Sequence, residues 1–461
     1  MGLTPYLRLL PRLMPSTNYL GLRGEDNRGG KIIMVSKSIY IIASIVAVMS
    51  IAALWSNRYG SNIAPIFTGV IEINTDAHAF MPSVSPNGSR VVFFEKRTLD
   101  ELFDGGLLGW LTLRKGMLAI TKIGSNSVEE VLDGRSGHIT WTPDSSAFYC
   151  YHIDKKTVAD YESKNNKALV DYRGVENCPL EILRVDVEPL KVTLLHKGNY
   201  GRSISGDLSM SPDGKYICFV DESNSRLVSL CIMDALAGTI IWEKSFNDYC
   251  LINDFSWAPY GHTICFSVSE DSLYLYNVNE GKLQKLVNYY KGVSFSDMIW
   301  LPDGKSIVFL ANGDKKNIKY VHTSTKRIES ICNYKYASQL ELSPNGKRLV
   351  LYDSAKKCLI LVDLASKRLR VLTKGKGYVD YPDRLWLSNS KIGFPMYSNP
   401  KDPLNTTFYV MDVDKNTLQA YKDAHRVLPE YSLAVKGKKA TLTFWDDVRG
   451  KWRLFVKKFG V

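Results

Sequence analysis

One polar column recurs through this chain at a spacing that could carry chemistry. Four residues before the Ser, Thr or Ala that stands second in a repeated turn phrase, or the residue in its place, are Met81, His138, Asp207, Asp254, Asp297, Gln339, Asp383 and Glu430. Five of these eight are carboxylates. Carboxylates gathered around one opening disfavour joint ionisation, which raises their mean pKa and draws cations toward them. Such a ring would bind a divalent cation, with Ca²⁺ the candidate cofactor, or a basic peptide segment. A pair of its carboxylates could also act as acid and base on carbohydrate or peptide. The competing role is structural, because an Asp entering a strand often accepts hydrogen bonds from nearby backbone amides.

Other chemistry leaves little trace. No serine carries the Gly-x-Ser-x-Gly of a hydrolase elbow; Ser136 and Ser203 keep only the first glycine. Gly304-Lys305-Ser306 imitates the end of a phosphate-binding loop, but Ile299 stands where that loop needs glycine. The seven histidines form no HExxH and no close pair, and the eight cysteines form no CxxC. No catalytic residue and no metal ligand set is therefore assigned. Cys150, Cys218 and Cys265 fall at matching repeat positions and read as small buried side chains.

The elements that must position the column come from the repeat itself. The phrase is an apolar residue, a turn built on Pro-Asp-Gly, then an alternating apolar strand. It reads VSPNGSRVVFF at 84–94, WTPDSSAFYCY at 141–151, MSPDGKYICFV at 210–220 and WAPYGHTICFS at 257–267. It continues as WLPDGKSIVFL at 300–310 and LSPNGKRLVLY at 342–352, with degraded copies at 386–396 and 433–444. Proline presets φ, Asp or Asn bonds its own turn, and Gly takes the left-handed position. Successive copies start 42 to 69 residues apart. That period suits units of several short strands, none of which could bury both faces alone.

The expected fold is all-β, an eight-bladed β-propeller of four-stranded blades, with seven blades as the alternative. Within the fourth unit, strands are expected at 254–257, 263–268, 272–278 and 283–287. The last unit has only three strands before the chain stops, and one orphan strand, Ile66–Ile73, precedes the first. Pairing the two would seal the ring and remove an exposed edge. Trp141, Trp257, Trp300 and Trp386 recur at one position and read as inter-blade core.

Two insertions, near 99–113 and 155–177, should overhang the mouth that the polar column rings. In the first, Leu102, Phe103, Leu107, Leu108 and Trp110 are too apolar for an ordinary surface loop. They either cap the propeller or contact a partner or membrane.

SPDGKYICF, LPDGKSIVF and SPNGKRLVL, followed by strands such as LYLYNV and ILRVDV, resemble the TolB-like propeller repeats. Those occur in periplasmic TolB and in the propeller domains of the prolyl-oligopeptidase family. The resemblance covers about residues 66–461 and implies a propeller. It implies no single activity, since such propellers host binding scaffolds, enzymes and peptidase gates alike. Neither the extra α/β domain of TolB nor the hydrolase domain of the peptidases has a counterpart here.

The 461 residues are 45% hydrophobic and 23% charged, a globular balance that excludes wholesale disorder and a multi-span membrane protein. The run Ile39–Trp55 carries no charge and reads as a transmembrane or signal-anchor helix, with 1–38 a basic cytoplasmic segment and 56–65 a linker. Arg23, Arg28, Lys31 and Lys37 precede it, so residues beyond it should lie outside the cytoplasm. A signal cleaved near Ser50-Ile51-Ala52, with Met34 as the start, is the alternative and gives a secreted or periplasmic protein. Residues 1–60 hold +5 of the +12 net charge, and the remaining excess is too mild to point to nucleic acid. The expected function is a monomeric, membrane-anchored, extracytoplasmic scaffold that binds an envelope protein or peptide. The alternative is a carbohydrate- or peptide-acting enzyme at the channel mouth.

Overall fold

Each turn phrase closes on itself before it meets any neighbour. In the copy at 210–220, the Ser211 hydroxyl donates to Asp213 Oδ1 at 2.7 Å and the Gly214 amide donates to the Ser211 carbonyl at 2.8 Å. The same bonds recur around Asn345, where the Ser343 hydroxyl donates at 2.8 Å and the Lys347 amide at 3.1 Å. Gly214 and Gly346 have φ of 75° and 68°, the left-handed region that L side chains rarely enter. Because these bonds are local, the phrase survives wherever it is repeated.

The structure, a computed structural model, describes residues 19–22, 33–36 and most of 70–460. Residues 97–113, 166–177, 201–207, 380–384 and 421–430 are among those outside the description. The expected helix at 39–55, the insertion bearing Leu102, Phe103, Leu107, Leu108 and Trp110, and column residues Asp207, Asp383 and Glu430 all fall outside it. Among the described residues no helix is long and apolar enough to cross a membrane.

The chain divides into two compact units, 1–67 with 447–451, and 68–446 with 452–461. In the first unit, Tyr19–Leu22 pairs antiparallel with Ile33–Ser36. The second is nearly all strand. It holds one described helix, Lys155–Asn165, which opens the second insertion. Asp154 caps that helix by accepting the Lys156 and Thr157 amides, both at 3.0 Å.

Six antiparallel sheets of four strands and one of seven make up this second unit. The sheet of the fourth phrase contains Ile252–Trp257, Thr263–Val268, Ser272–Asn277 and Lys282–Asn288, paired in that order. The seven-stranded sheet carries the first two phrases. Its long strand Val128–Trp141 pairs through its first part with Arg114–Lys122 and through its last part with Ala147–Asp154. One strand thus ends one four-stranded meander and begins the next. In the last sheet, Ser432–Lys436, Lys439–Val448 and Lys451–Gly460 are followed by Val70–Ile73 at the edge. The register runs antiparallel from Val70↔Lys457 to Ile73↔Leu454.

Alternate residues of each central strand face opposite neighbours, which is why the sheets stack as layers. Phe219 packs with Tyr149 and Ile182 of the preceding sheet, while Cys218 and Val220 pack with Ile264 and Phe266 of the next. Cys150, Cys218 and Cys265 are wholly buried free thiols. The recurring tryptophans stitch adjacent sheets. Trp257 Nε1 donates to the Ser209 carbonyl at 3.1 Å, and Trp300 Nε1 to the Ser256 carbonyl at 2.9 Å. Trp386 Nε1 reaches the Glu341 carbonyl at 3.2 Å. The last sheet also meets the first: the Val84 amide donates to Ser432 Oγ at 3.1 Å.

Candidate functional site

The polar column sits where the innermost strands break register. Shifts fall between Phe80 and Ser83, Gly137 and Thr140, Ser296 and Ile299, and Ser338 and Leu340. At these breaks Met81, His138, Asp297 and Gln339 adopt φ of 49°, 51°, 51° and 53°. A bulge adds one residue to a strand and re-aims its side chain, and a left-handed non-glycine there costs roughly 1–2 kcal/mol. Four innermost strands, in three sheets, therefore hold the same strained position, and none fills it with glycine. The fifth described member, Asp254, follows a shift after Ile252 but has no left-handed φ.

These residues have different surroundings. Asp254 Oδ2 accepts the Met298 amide of the next sheet at 2.7 Å, the structural role open to any carboxylate in the column. Asp297 Oδ2 accepts the Ser296 hydroxyl at 3.3 Å. The His138 ring stands edge-on to Tyr151, centroids 5.3 Å apart. Gln339 Oε1 is enclosed with no hydrogen-bond partner among the described residues. A cavity of about 590 Å³ lies between the innermost strands, lined by Ser83, Thr140, Ser209, Asp254, Tyr431 and Ser432 among others. Among the described residues no three His, Cys, Asp or Glu side chains come together to hold a metal ion.

Sequence reasoning passed over a second clamp. Glu341 lies two residues beyond Gln339, and its carboxylate accepts the Leu385 and Trp386 amides of the next sheet, at 2.5 and 3.5 Å. The period-two spacing from the column was the available signal. It also passed over a contact at the opposite end of the strands. His262 Nε2 lies 2.6 Å from Asp213 Oδ2, and its Nδ1 lies 2.8 Å from Asn279 Oδ1. Partial burial works to raise the Asp213 pKa, but His262, the Ser211 hydroxyl and the Lys215 amide outweigh it and hold the carboxyl at about 2. The Asp213 bond in turn raises the His262 pKa.

Two serines, those of Gly134-Arg135-Ser136 and Gly304-Lys305-Ser306, are bonded to histidines. Ser136 Oγ lies 2.8 Å from His152 Nδ1, and Ser306 Oγ lies 2.9 Å from His322 Nδ1. Each pair is a cross-strand neighbour in register. Ser136 is 0% exposed and Ser306 2%, so neither hydroxyl is open to a substrate. Burial, the largest influence, lowers the His152 pKa. These dyads satisfy buried polar groups between strands.

No protein-family profile matches this chain, and no curated protein matches it in sequence. Solved structures do resemble it. The C-terminal WD40 domain of Sif2 is 13% identical with a TM-score of 0.51, over 85% of this chain and 99% of that one. An oligogalacturonate lyase in complex with manganese is 14% identical with a TM-score of 0.47, over 84% and 92%. TolB from Acinetobacter baumannii is 14% identical with a TM-score of 0.35, over 62% and 77%. At such identities the likeness is one of fold. The chain is a β-propeller protein.

Proposed function

We propose that this protein is a rigid binding scaffold that takes a protein or peptide partner at the end of the channel where the innermost strands begin. The repeated left-handed position of Met81, His138, Asp297 and Gln339 carries this reading. Strain held at equivalent places in four innermost strands has to be maintained by the surrounding structure, and strained backbone clusters at ligand-binding sites. Electrostatic steering by Asp297 and the other column carboxylates would favour a basic segment.

In this reading the ring has eight blades. Six are the separate sheets, and two are fused through the shared strand Val128–Trp141. The propeller lies outside the cytoplasm, held by 39–55 as an uncleaved anchor; protease protection in sealed vesicles tests that location.

The binding reading is tested by thermal melts of the full chain with Ca²⁺ and with octalysine, repeated on Asp254→Asn plus Asp297→Asn. An upward shift in the unmodified protein that the double variant loses supports a binding rim. No shift in any pairing reduces the column to a structural device. Crosslinking in intact envelopes, with deletion of 99–113 as the comparison, then identifies the partner.

A further inference from the structure

The charge of this propeller is not spread evenly. In an antiparallel four-stranded meander, the first-to-second and third-to-fourth turns emerge at one end. Contacts between neighbouring phrases show that the sheets share that orientation. A Cβ built on Gly346 would lie 2.5 Å from Pro302 Cδ of the preceding turn, and one on Gly214 would lie 3.2 Å from Pro143 Cδ. Arg348 pairs with Asp414 in the following sheet.

From Ser294 onward, the turns at this end read PDGK (302–305), TSTKR (323–327), PNGKR (344–348), DLASKR (363–368), SNSK (388–391), DVDKN (412–416) and KGKK (436–439). Twelve Lys or Arg stand there against four Asp. The corresponding turns of the earlier sheets hold four Lys or Arg against five Asp or Glu. One half of this end is therefore strongly basic and the other nearly neutral.

The acids within the basic half are occupied. Asp303 accepts the Lys305 amide, Asp363 the Ser366 amide and Asp412 the Lys415 amide, while Asp414 is paired with Arg348. The bases face solvent: Lys305, Lys347, Lys415, Lys436, Lys438 and Lys439 are all exposed.

We propose that this basic half-face docks on an anionic lipid surface. Nine of its twelve bases are Lys, a flexible point charge without the planar fork that reads fixed phosphate or carboxylate geometry. The seven turns contain no Phe, Tyr or Trp on which nucleic-acid bases could stack. The doublets Lys326-Arg327 and Lys367-Arg368 are followed directly by Ile328 and Leu369, which are 36% and 43% exposed. Charge beside exposed apolar side chains suits the headgroup boundary.

The chain path agrees. Val70 pairs with Lys457 and Ile73 with Leu454, so the closing strand begins at this end and runs away from it. The sequence between the uncharged run at 39–55 and Val70 is short, at most about 50 Å fully extended. The charge asymmetry of the turns does not depend on the anchor.

The test is cosedimentation of full-length protein with neutral phosphatidylcholine vesicles and with vesicles containing phosphatidylserine, at low and high salt. A juxtaposed lysine contributes about fivefold to anionic-membrane affinity, so Lys347→Gln with Lys436→Gln, Lys438→Gln and Lys439→Gln should weaken the phosphatidylserine preference by more than about a hundredfold. Lys215→Gln with Lys282→Gln, from the neutral half, should leave it unchanged, and melting curves confirm that each variant folds. High salt should abolish the preference. Equal binding to both vesicle types would leave the anchor standing and overturn the surface; binding to neither would overturn both. Tighter binding of duplex DNA or polyglutamate than of phosphatidylserine vesicles would overturn the assignment to lipid.

Discussion

Replacing Ile73 by Ala tests the bond between the two ends of the propeller. Ile73 is 3% exposed and belongs to one cluster with Ala79, Val91 and Phe93 of the first meander and Leu454 and Val456 of the last strand. An Ile→Ala change in a core costs about 2–5 kcal/mol. A four-residue edge strand can relax around the lost atoms, so a loss of about 3 kcal/mol is expected. Leu369→Ala, on the short outer strand of another sheet and 43% exposed, is the comparison and should cost less than about 0.5 kcal/mol. Urea unfolding followed by tryptophan fluorescence reads both. With a slope of at least about 3 kcal/mol/M, Ile73→Ala should lower the midpoint by up to about 1 M. The register is tested separately through the ion pair between Glu72 and Arg453, each 38% exposed. Glu72→Arg should destabilise by less than about 1 kcal/mol, and adding Arg453→Glu should restore most of it. If Ile73→Ala and Leu369→Ala behave alike, the closing strand contributes nothing, and the ring is not sealed through residues 70–73.

Trp300→Phe should cost about 1 kcal/mol in the same unfolding assay, because the partly buried Ser256 carbonyl loses the indole donor now 2.9 Å away. A neutral outcome would show that the tryptophan column does not stitch the sheets. The His262–Asp213 contact predicts a pH window. His262 has its pKa raised above the ordinary 6.5, chiefly by Asp213, so its contribution is complete below about pH 6.5 and fades as pH rises through the elevated value. Asp213, depressed to about 2, contributes above its ordinary 3.8 and loses that contribution as pH falls through about 2. Both partners are charged between those limits. Because Asp213 is partly exposed, the loss from pH 6 to 9 should stay under about 1 kcal/mol. It should vanish in His262→Gln; an unchanged pH slope in that variant refutes the coupling.

What could be read in advance followed the range of the interactions. The phrase SPDGK was legible because Ser211, Asp213 and Gly214 satisfy one another within four residues. The strands of the fourth unit were legible because period-two patterns and turn residues bound them on both sides. The continuous strand Val128–Trp141 was not: nothing local distinguishes a strand that changes partners from two strands with a break. The column was found as a polar position, but its left-handed backbone left little mark: Asp297 and His138 are of types enriched in that region, Met81 and Gln339 are not, and none of the four is glycine. Asp254 and Glu341 look alike in sequence to any other strand-entry acid, and only the facing amides of Met298 and Leu385 show what they hold.

The basic half-face escaped notice for a different reason. Its charges are separated along the chain, and whole-chain net charge adds them to unrelated positions; they collect only when residues are grouped by the end of the sheet they occupy. The two ends of this propeller thus vary through positions outside the packed core: a bulged residue in the innermost strand at one, and the last residues of each turn at the other. Either end could change its ligand without disturbing the alternation that packs Phe219 and Cys218 between neighbouring sheets. A scaffold that lies on a lipid surface by its lysine-rich turns and offers its column to a partner on the far side needs that independence. It follows that the four-lysine substitution should leave the octalysine and Ca²⁺ responses intact, while Asp254→Asn with Asp297→Asn should leave vesicle binding intact. Loss of both activities in either variant would show that the two ends do not act separately.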